Sequence, residues 1–311
     1  ADAGRVAGAL GIPHQSASLV EGVAEVVVGP FVAEYAAGRT PNPCVICNQA
    51  VKFGLLMEEA RRLGAGRLAT GHYARVDRDG KRPRLLRGID RARDQSYFLH
   101  RLSAEQLSRA VMPVGHRTKD EVRGIARAAG LHVSEREATA DACFVPGGDV
   151  GAFVGRRAPT AVLPGPILDT AGRVMGEHRG IASYTVGQRT GLGLSRPRPT
   201  YVLAIDPRRN AVVVGDEEEL LKDSLSASGL SWVGERPPAR FRAAARIRST
   251  ADPAPCAVEL TGERAVVRFD RRQRAIAPGQ SVVLYDGEEV LGGGVILPPS
   301  PGACLGAAFV V

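Results

Sequence analysis

The sequence predicts an α/β protein in three successive parts. Residues 1–148 form an N-terminally incomplete parallel α/β domain, residues 149–218 a small central domain, and residues 219–311 an antiparallel β-barrel. Three observations carry this. Helix-like and strand-like segments alternate along the first part, the pattern of a parallel sheet. The texture then turns Gly- and Pro-rich, with short segments such as Gly165-Pro166-Ile167 and Gly191-Leu192-Gly193. In the last part short strands recur between the turn signals Pro278-Gly279 and Asp286-Gly287, as in a small barrel.

Each element has its own signal. Val6 and Leu10 share an amphipathic helical pattern, and Gly11-Ile12-Pro13-His14 reads as the end of that helix running into a strand. Residues 31–37 form a helix stopped by Gly38. Proline fixes φ and pushes the preceding residue to extended geometry, so Thr40-Pro41-Asn42-Pro43 is a rigid non-helical segment leading into a tight Cys44-Val45-Ile46-Cys47 loop. Phe53, Leu56, Met57 and Ala60 mark one face of a helix over 51–63. Residues 67–72 read as a buried strand, and active loops of parallel sheets lie at strand carboxyl ends, here Gly71-His72. Two further helices are expected over 99–110 and 119–129, and barrel strands over 243–248, 257–260, 265–269, 281–285 and 290–296. Glu217-Glu218-Glu219 reads as a solvated turn. There is no internal repeat and no long low-complexity linker.

The 311 residues, 44% of them hydrophobic, supply two or three cores. No apolar run approaches the roughly 20 residues needed to cross a bilayer. No secretory signal pattern opens the chain, which starts without Met inside a helical pattern, as if something preceded it. Five cysteines, odd in number and sparse, do not make a disulfide framework. These features predict a cytoplasmic protein with no membrane association. The net charge of +8, supplied mostly by arginine, suits bidentate phosphate contacts, although charge alone does not decide nucleic-acid binding.

The chemistry lies with Cys44, Cys47 and the distant Cys143. A structural zinc site needs four ligands, and Cys256 and Cys304 supply no second close pair. Cys44, Cys47 and Cys143 could hold an iron–sulfur cluster with one open iron position. Sulfur transfer between Cys47 and Cys143 needs only two thiols, because thiolate attacks sulfur readily. A lone cysteine is commonly a small buried hydrophobe, but the polar Thr139-Ala140-Asp141 beside Cys143 argues otherwise. In Arg93-Asp94-Gln95-Ser96-Tyr97 a helix cap is the plain alternative to a binding cluster. His72 reads equally well as a satisfied loop histidine. Residues 187–193 lack the Gly-Lys-Ser/Thr ending of a phosphate loop and receive no nucleotide role.

Taken together the motifs resemble the bacterial tRNA-specific 2-thiouridylases, which thiolate the wobble uridine of tRNA. The matching stretches include Gly38-Arg39-Thr40-Pro41-Asn42-Pro43 with Cys47-Asn48, Lys52-Phe53, Ala69-Thr70-Gly71-His72-Tyr73, Asp94-Gln95-Ser96-Tyr97-Phe98-Leu99, Cys143-Phe144, Tyr184-Thr185-Val186-Gly187-Gln188-Arg189, Pro278-Gly279-Gln280 and Leu291-Gly292-Gly293-Gly294, in family order across nearly the whole chain. The resemblance implies a nucleotide domain of the adenine-nucleotide hydrolase type, which uses ATP with Mg2+ to adenylate the uracil C2 carbonyl. It implies that Cys143 carries a persulfide received from a sulfur-donor protein. Cys47 is then the nucleophile that resolves it, ending as a Cys47–Cys143 disulfide. By the same resemblance Gly71 contacts the nucleotide and Asn42, Pro43 and Cys44 face the target base. His72, Arg93, Asp94, Gln95, Arg248, Ser249 and Gln280 contact tRNA. The family's Ser-Gly-Gly-Val-Asp-Ser pyrophosphate loop is absent, so the chain as written is expected to be inactive alone. Cys44 stands where other members carry Asp, which keeps the cluster option open, and Ser249 replaces an aromatic of some members. The alternatives are a non-catalytic tRNA-binding fragment and an iron–sulfur-dependent tRNA sulfurtransferase.

Overall fold

The computed structural model describes residues 2–131, 142–195 and 198–299. Helix α1 (Asp2–Leu10) is followed by irregular chain through residue 19, where a strand was expected. Helix α2 (Val20–Val23) passes through a π-helical segment (Ala24–Val28) into α3 (Gly29–Ala36), which ends near Gly38 at φ +70°, as its sequence predicts.

A second composite helix runs from α4 (Pro43–Ile46) through a π-helical segment (Cys47–Leu55) into α5 (Leu56–Arg62). The non-helical segment therefore stops at Asn42, and Cys44 and Cys47 stand on a helix rather than in a loop. The reason is Pro43: at the first helical position its missing N–H has no partner to lose and its fixed φ is already helical.

The expected buried strand over 67–72 shrinks to β1 (Leu68–Ala69), part-exposed and paired in parallel with β4 (Ala110–Val111). Between them lie β2 (Ala74–Asp77), β3 (Arg84–Arg87), a 3-10 turn (Ser96–Leu99) and α6 (Ala104–Arg109). The single helix expected over 99–110 is thus split. Ser103 and Gln106 form a capping box that starts a new helix, and Ala110 turns extended to join β1. Helix α7 (Lys119–Ala128) matches expectation and carries its own capping box, Thr118 with Glu121.

After α8 (Val150–Gly155), a four-stranded sheet contains β5 (Gly165–Leu168), β6 (Val174–His178), β7 (Tyr201–Asp206) and β8 (Ala211–Gly215) in the order β6-β5-β8-β7. The triple glutamate forms a 3-10 turn, with Glu219 in a capping box and Glu217 paired to Arg274.

Strands β9 (Leu221–Trp232), β10 (Arg240–Arg246), β11 (Ala254–Thr261), β12 (Arg264–Arg274), β13 (Ser281–Asp286) and β14 (Glu289–Ile296) follow in the order β13-β10-β11-β12-β9-β14. Pairing of β13 with β14 closes them into a six-stranded antiparallel barrel. Strand β9 gave no signal in sequence because serines and a glycine dilute its alternation; Leu225 and Ala227 are its buried positions. The β2–β3 hairpin extends the barrel sheet, with Leu86 opposite Glu289. One core accordingly runs through both ends of the chain: Phe53, Met57, Leu85, Tyr97 and Leu107 pack with Val233, Val283, Tyr285 and Val290. Among the described residues no helix is long and apolar enough to cross a membrane.

Candidate active site

The segment ahead of the two cysteines is held by both later parts of the chain. The Thr40 N–H donates to the Pro278 carbonyl (2.9 Å), Gln280 Nε2 donates to the Thr40 carbonyl (2.8 Å), and the Thr40 and Thr185 hydroxyls lie 3.2 Å apart. Gly279 has φ +91°, and a Cβ there would stand 2.9 Å from the Thr40 nitrogen, so glycine is required for this approach. Asn42 follows, its side chain against the Tyr97 hydroxyl. Pro43 then opens the helix that carries Cys44, exposed, and Cys47, half-buried. At spacing i,i+3 both thiols occupy one face of that helix.

Cys143 is exposed on a turn closed by the Val145 N–H donating to the Ala142 carbonyl (2.9 Å). The next residue anchors it: the Phe144 ring packs edge-on to Phe31 at 5.1 Å and against Phe153 at 5.6 Å. The sulfur is presented to solvent by a turn whose neighbouring side chain is fixed in an apolar cluster. Each of the Cys44 and Cys47 thiols responds to the charge of Cys143, so the three share one neighbourhood, and all are free. Burial pushes the Cys44 and Cys47 thiols up, and the nearby Lys52 ammonium opposes it. Lys52 reaches that neighbourhood because the helix is π-helical there. An i→i+5 ladder stacks Lys52 one turn above Cys47, whereas α-helical spacing would turn it away. Among the described residues, no three His, Cys, Asp or Glu side chains gather closely enough to hold a metal ion. Cys256 is buried, donates to the Ala243 carbonyl and is pushed up to about 11 by burial, the behaviour of an inert core thiol. Thr139, Asp141 and Cys304 lie outside the described residues.

Gly71 sits just past β1, and nothing lies within 4 Å of where its Cβ would stand, leaving its backbone open to a ligand. His72, expected as a satisfied loop histidine or a tRNA contact, has internal partners. It is buried, its Nδ1 lies 2.8 Å from the Thr70 hydroxyl, and its ring packs against Phe53. Burial, assisted by Lys52, lowers it to about 4, so it stays neutral and offers no cation to RNA near neutral pH.

Four side chains expected to contact tRNA, those of Asp94, Gln95, Gln280 and Arg248, make internal hydrogen bonds. The Asp94 carboxylate accepts from the N–H groups of Gly88 (3.0 Å) and Ser96 (3.1 Å) and from the Ser96 hydroxyl (3.0 Å). It also pairs with Arg246 (2.7 Å) and Arg87 (3.4 Å), leaving its side chain fully buried. Asp94 is thus engaged by internal hydrogen bonds and ion pairs. Gln95 Oε1 accepts from the Tyr73 N–H (3.0 Å), and the Gln280 amide is engaged by Thr40. Arg248 donates to the carbonyls of Val186 and Ala275, joining the central sheet to the barrel, and the Ser249 carbonyl accepts from Arg246. Arg93 remains exposed. Sequence reasoning assigned no role to Lys52, Phe144 or Arg246. The lysine's position depends on the π segment, and Arg246 looks like any barrel arginine until Asp94 is found opposite.

Comparison with known proteins finds matches along nearly the whole chain. Residues 1–147 match the tRNA methyl transferase HUP domain, residues 151–216 the tRNA methyl transferase PRC-barrel domain, and residues 222–296 the aminomethyltransferase beta-barrel domain. The chain is similar to the tRNA-specific 2-thiouridylase MnmA of Geotalea uraniireducens, 46% identical over 297 residues, 95% of this chain and 79% of that protein. It is similar to the protein of the same name from Geobacter metallireducens, 48% identical over 297 residues, 95% of this chain and 81% of the relative. The MnmA of Symbiobacterium thermophilum is 47% identical over 302 residues, covering 95% of this chain and 77% of the relative. With a HUP-type α/β domain, a central PRC-barrel domain, a closed six-stranded barrel and this identity along nearly its whole length, the chain belongs to the family of tRNA-specific 2-thiouridylases.

Proposed function

We propose that the protein is a cytoplasmic tRNA-uridine 2-sulfurtransferase that replaces the C2 oxygen of the wobble uridine with sulfur. The observation that supports the reading is that the Cys47 helix and the Phe144-anchored Cys143 turn share one neighbourhood, in which the Cys143 charge raises the Cys47 thiol. ATP with Mg2+, when bound, activates the C2 carbonyl by adenylation. The open backbone at Gly71 fits an approaching nucleotide, and the chain's own residues do the rest.

Cys143, exposed on its turn, accepts a sulfur atom from a persulfide donor protein and holds it as Cys143–S–SH. The terminal sulfur attacks the activated C2 carbon, and the C2 oxygen leaves with the adenylate. Cys47 thiolate then attacks the Cys143 sulfur. That forms the Cys47–Cys143 disulfide and returns the bonding pair to the sulfur left on C2 as the thiocarbonyl. Asn42, Pro43 and Cys44 line the approach to the target base, held in place by Thr40, Pro278 and Gln280. Arginine-rich surface, including exposed Arg93, holds the tRNA backbone. The test is 2-thiouridine formation by the complete gene product with ATP, tRNA and a persulfide donor, followed by mass spectrometry of digested tRNA. Formation that requires both Cys47 and Cys143 supports the reading. No 2-thiouridine with all components present overturns it, and iron-dependent absorbance in an anaerobic preparation would move the chemistry to a cluster on Cys44, Cys47 and Cys143.

A further inference from the structure

The sulfur-transfer reading leaves one thiol without a chemical step and one product without a fate. The Cys47–Cys143 disulfide stops the cycle until Cys143 is freed, yet an exposed third thiol, Cys44, stands on the same helical face as Cys47. We propose that Cys44 clears the Cys47–Cys143 disulfide, so that the catalytic cycle closes through a Cys44–Cys47 disulfide within one helix. The inference rests on the sulfur-transfer reading above.

The spacing favours it. Residues i and i+3 of a helix have Cβ atoms about 5–6 Å apart and a disulfide needs about 3.5–4.5 Å, so tightening the first turn by about 1–2 Å brings the pair together. The Cys143 sulfur, by contrast, belongs to a separate turn in the same neighbourhood, whose next residue, Phe144, is packed on Phe31 and Phe153. Bonding between neighbours on one helix therefore competes well with bonding between the helix and that turn. Cys44 sits in the first turn after Pro43, a register fixed by proline at the first helical position. Lys52, stacked over this face by the π segment, is the cation facing both thiols, and it opposes the rise that burial gives them.

The step balances as a thiol–disulfide exchange. Cys44 thiolate attacks the Cys47 sulfur, the Cys44–Cys47 bond forms, the Cys47–Cys143 bond breaks, and the electron pair leaves on Cys143 as thiolate ready for another persulfide. A soluble dithiol of the cell then reduces Cys44–Cys47, taking the two electrons' worth of oxidation out of the site through its exposed member.

The experiment oxidises the complete gene product in two ways, with a mild thiol oxidant and by thiolation turnover under limiting dithiol. Free thiols are alkylated and peptides mapped. Wild type should rest as Cys44–Cys47 with Cys143 alkylated. Cys44→Ser should accumulate Cys47–Cys143, with Cys143 protected from alkylation until dithiol is added. Wild type that thiolates tRNA yet rests as Cys47–Cys143 with Cys44 alkylated overturns the relay, as does Cys44→Ser whose Cys143 is alkylated to the wild-type extent after oxidation. The wild-type mapping stands without any variant, so a misfolded Cys44→Ser does not decide the matter. Wild type that forms no 2-thiouridine removes the sulfur-transfer reading and the relay with it, a result distinct from failure of the relay alone.

Discussion

Asp94 and Arg246 form a buried ion pair, Nη1 to Oδ2 2.7 Å, that bolts the first part of the chain to barrel strand β10. The carboxylate is fully buried and the guanidinium 5% exposed, so neither is hydrated by bulk water. Removing one partner strands the other charge, and Asp94→Ala is expected to cost about 3–5 kcal/mol in denaturant unfolding. Replacing both with apolar residues, Asp94→Leu with Arg246→Met, should recover a large part of that loss. An unchanged unfolding midpoint in Asp94→Ala would show that the pair does not secure this joint.

The roles proposed for Cys47 and Cys143 separate by substitution. Cys143→Ser should abolish both 2-thiouridine formation and persulfide labelling. Cys47→Ser should abolish turnover while Cys143 still accepts sulfur. Persulfide labelling that follows Cys47 instead of Cys143 would reverse their roles.

Two buried histidines set an acid limit on stability. Burial lowers His72 and His100 to about 4, against roughly 6.5 for an unperturbed imidazole. Between those values the unfolded chain binds protons that the folded chain refuses. Stability is therefore complete above pH about 6.5 and falls as pH drops toward 4, by about 2–3 kcal/mol per pH unit for the two together. His72→Gln should roughly halve that slope in denaturation measured across the window. A slope unaffected by the substitution would mean that His72 is protonated in the folded protein.

Two glycines predict opposite results. At Gly115 a Cβ would stand 1.8 Å from the Ala74 carbonyl oxygen, so Gly115→Ala should destabilise by about 1–3 kcal/mol or more. At Gly71 the same methyl meets nothing within 4 Å, so Gly71→Ala should fold with unchanged stability. Any loss of ATP affinity in Gly71→Ala then reports on the ligand rather than the fold. Wild-type ATP binding by equilibrium titration would show that the Gly71 backbone does not touch the nucleotide.

Binding of tRNA should weaken steeply with salt, because arginine supplies most of the +8 charge and releases counterions from the phosphate backbone. Affinity that holds constant from low to moderate salt would contradict an electrostatic interface.

Sequence alone determined the order of the three parts, the helix stop at Gly38, helix α7 and five of the six barrel strands. These rest on local physics: periodicity, proline and glycine geometry, and capping. Tertiary structure decided the rest because the deciding partner lies far along the chain. Pro43 suits a loop or the first position of a helix equally well, and the packed structure places it at the latter. Asp94, Gln95 and Gln280 are polar and look available to RNA, but Arg246, Tyr73 and Thr40 occupy them, and no local pattern announces a partner 152 residues away. Lys52 faces the thiols only because hydrogen bonds in its helix skip five residues instead of four. Local interactions set which residue types stand where; long-range packing set which of their polar groups remained free to act.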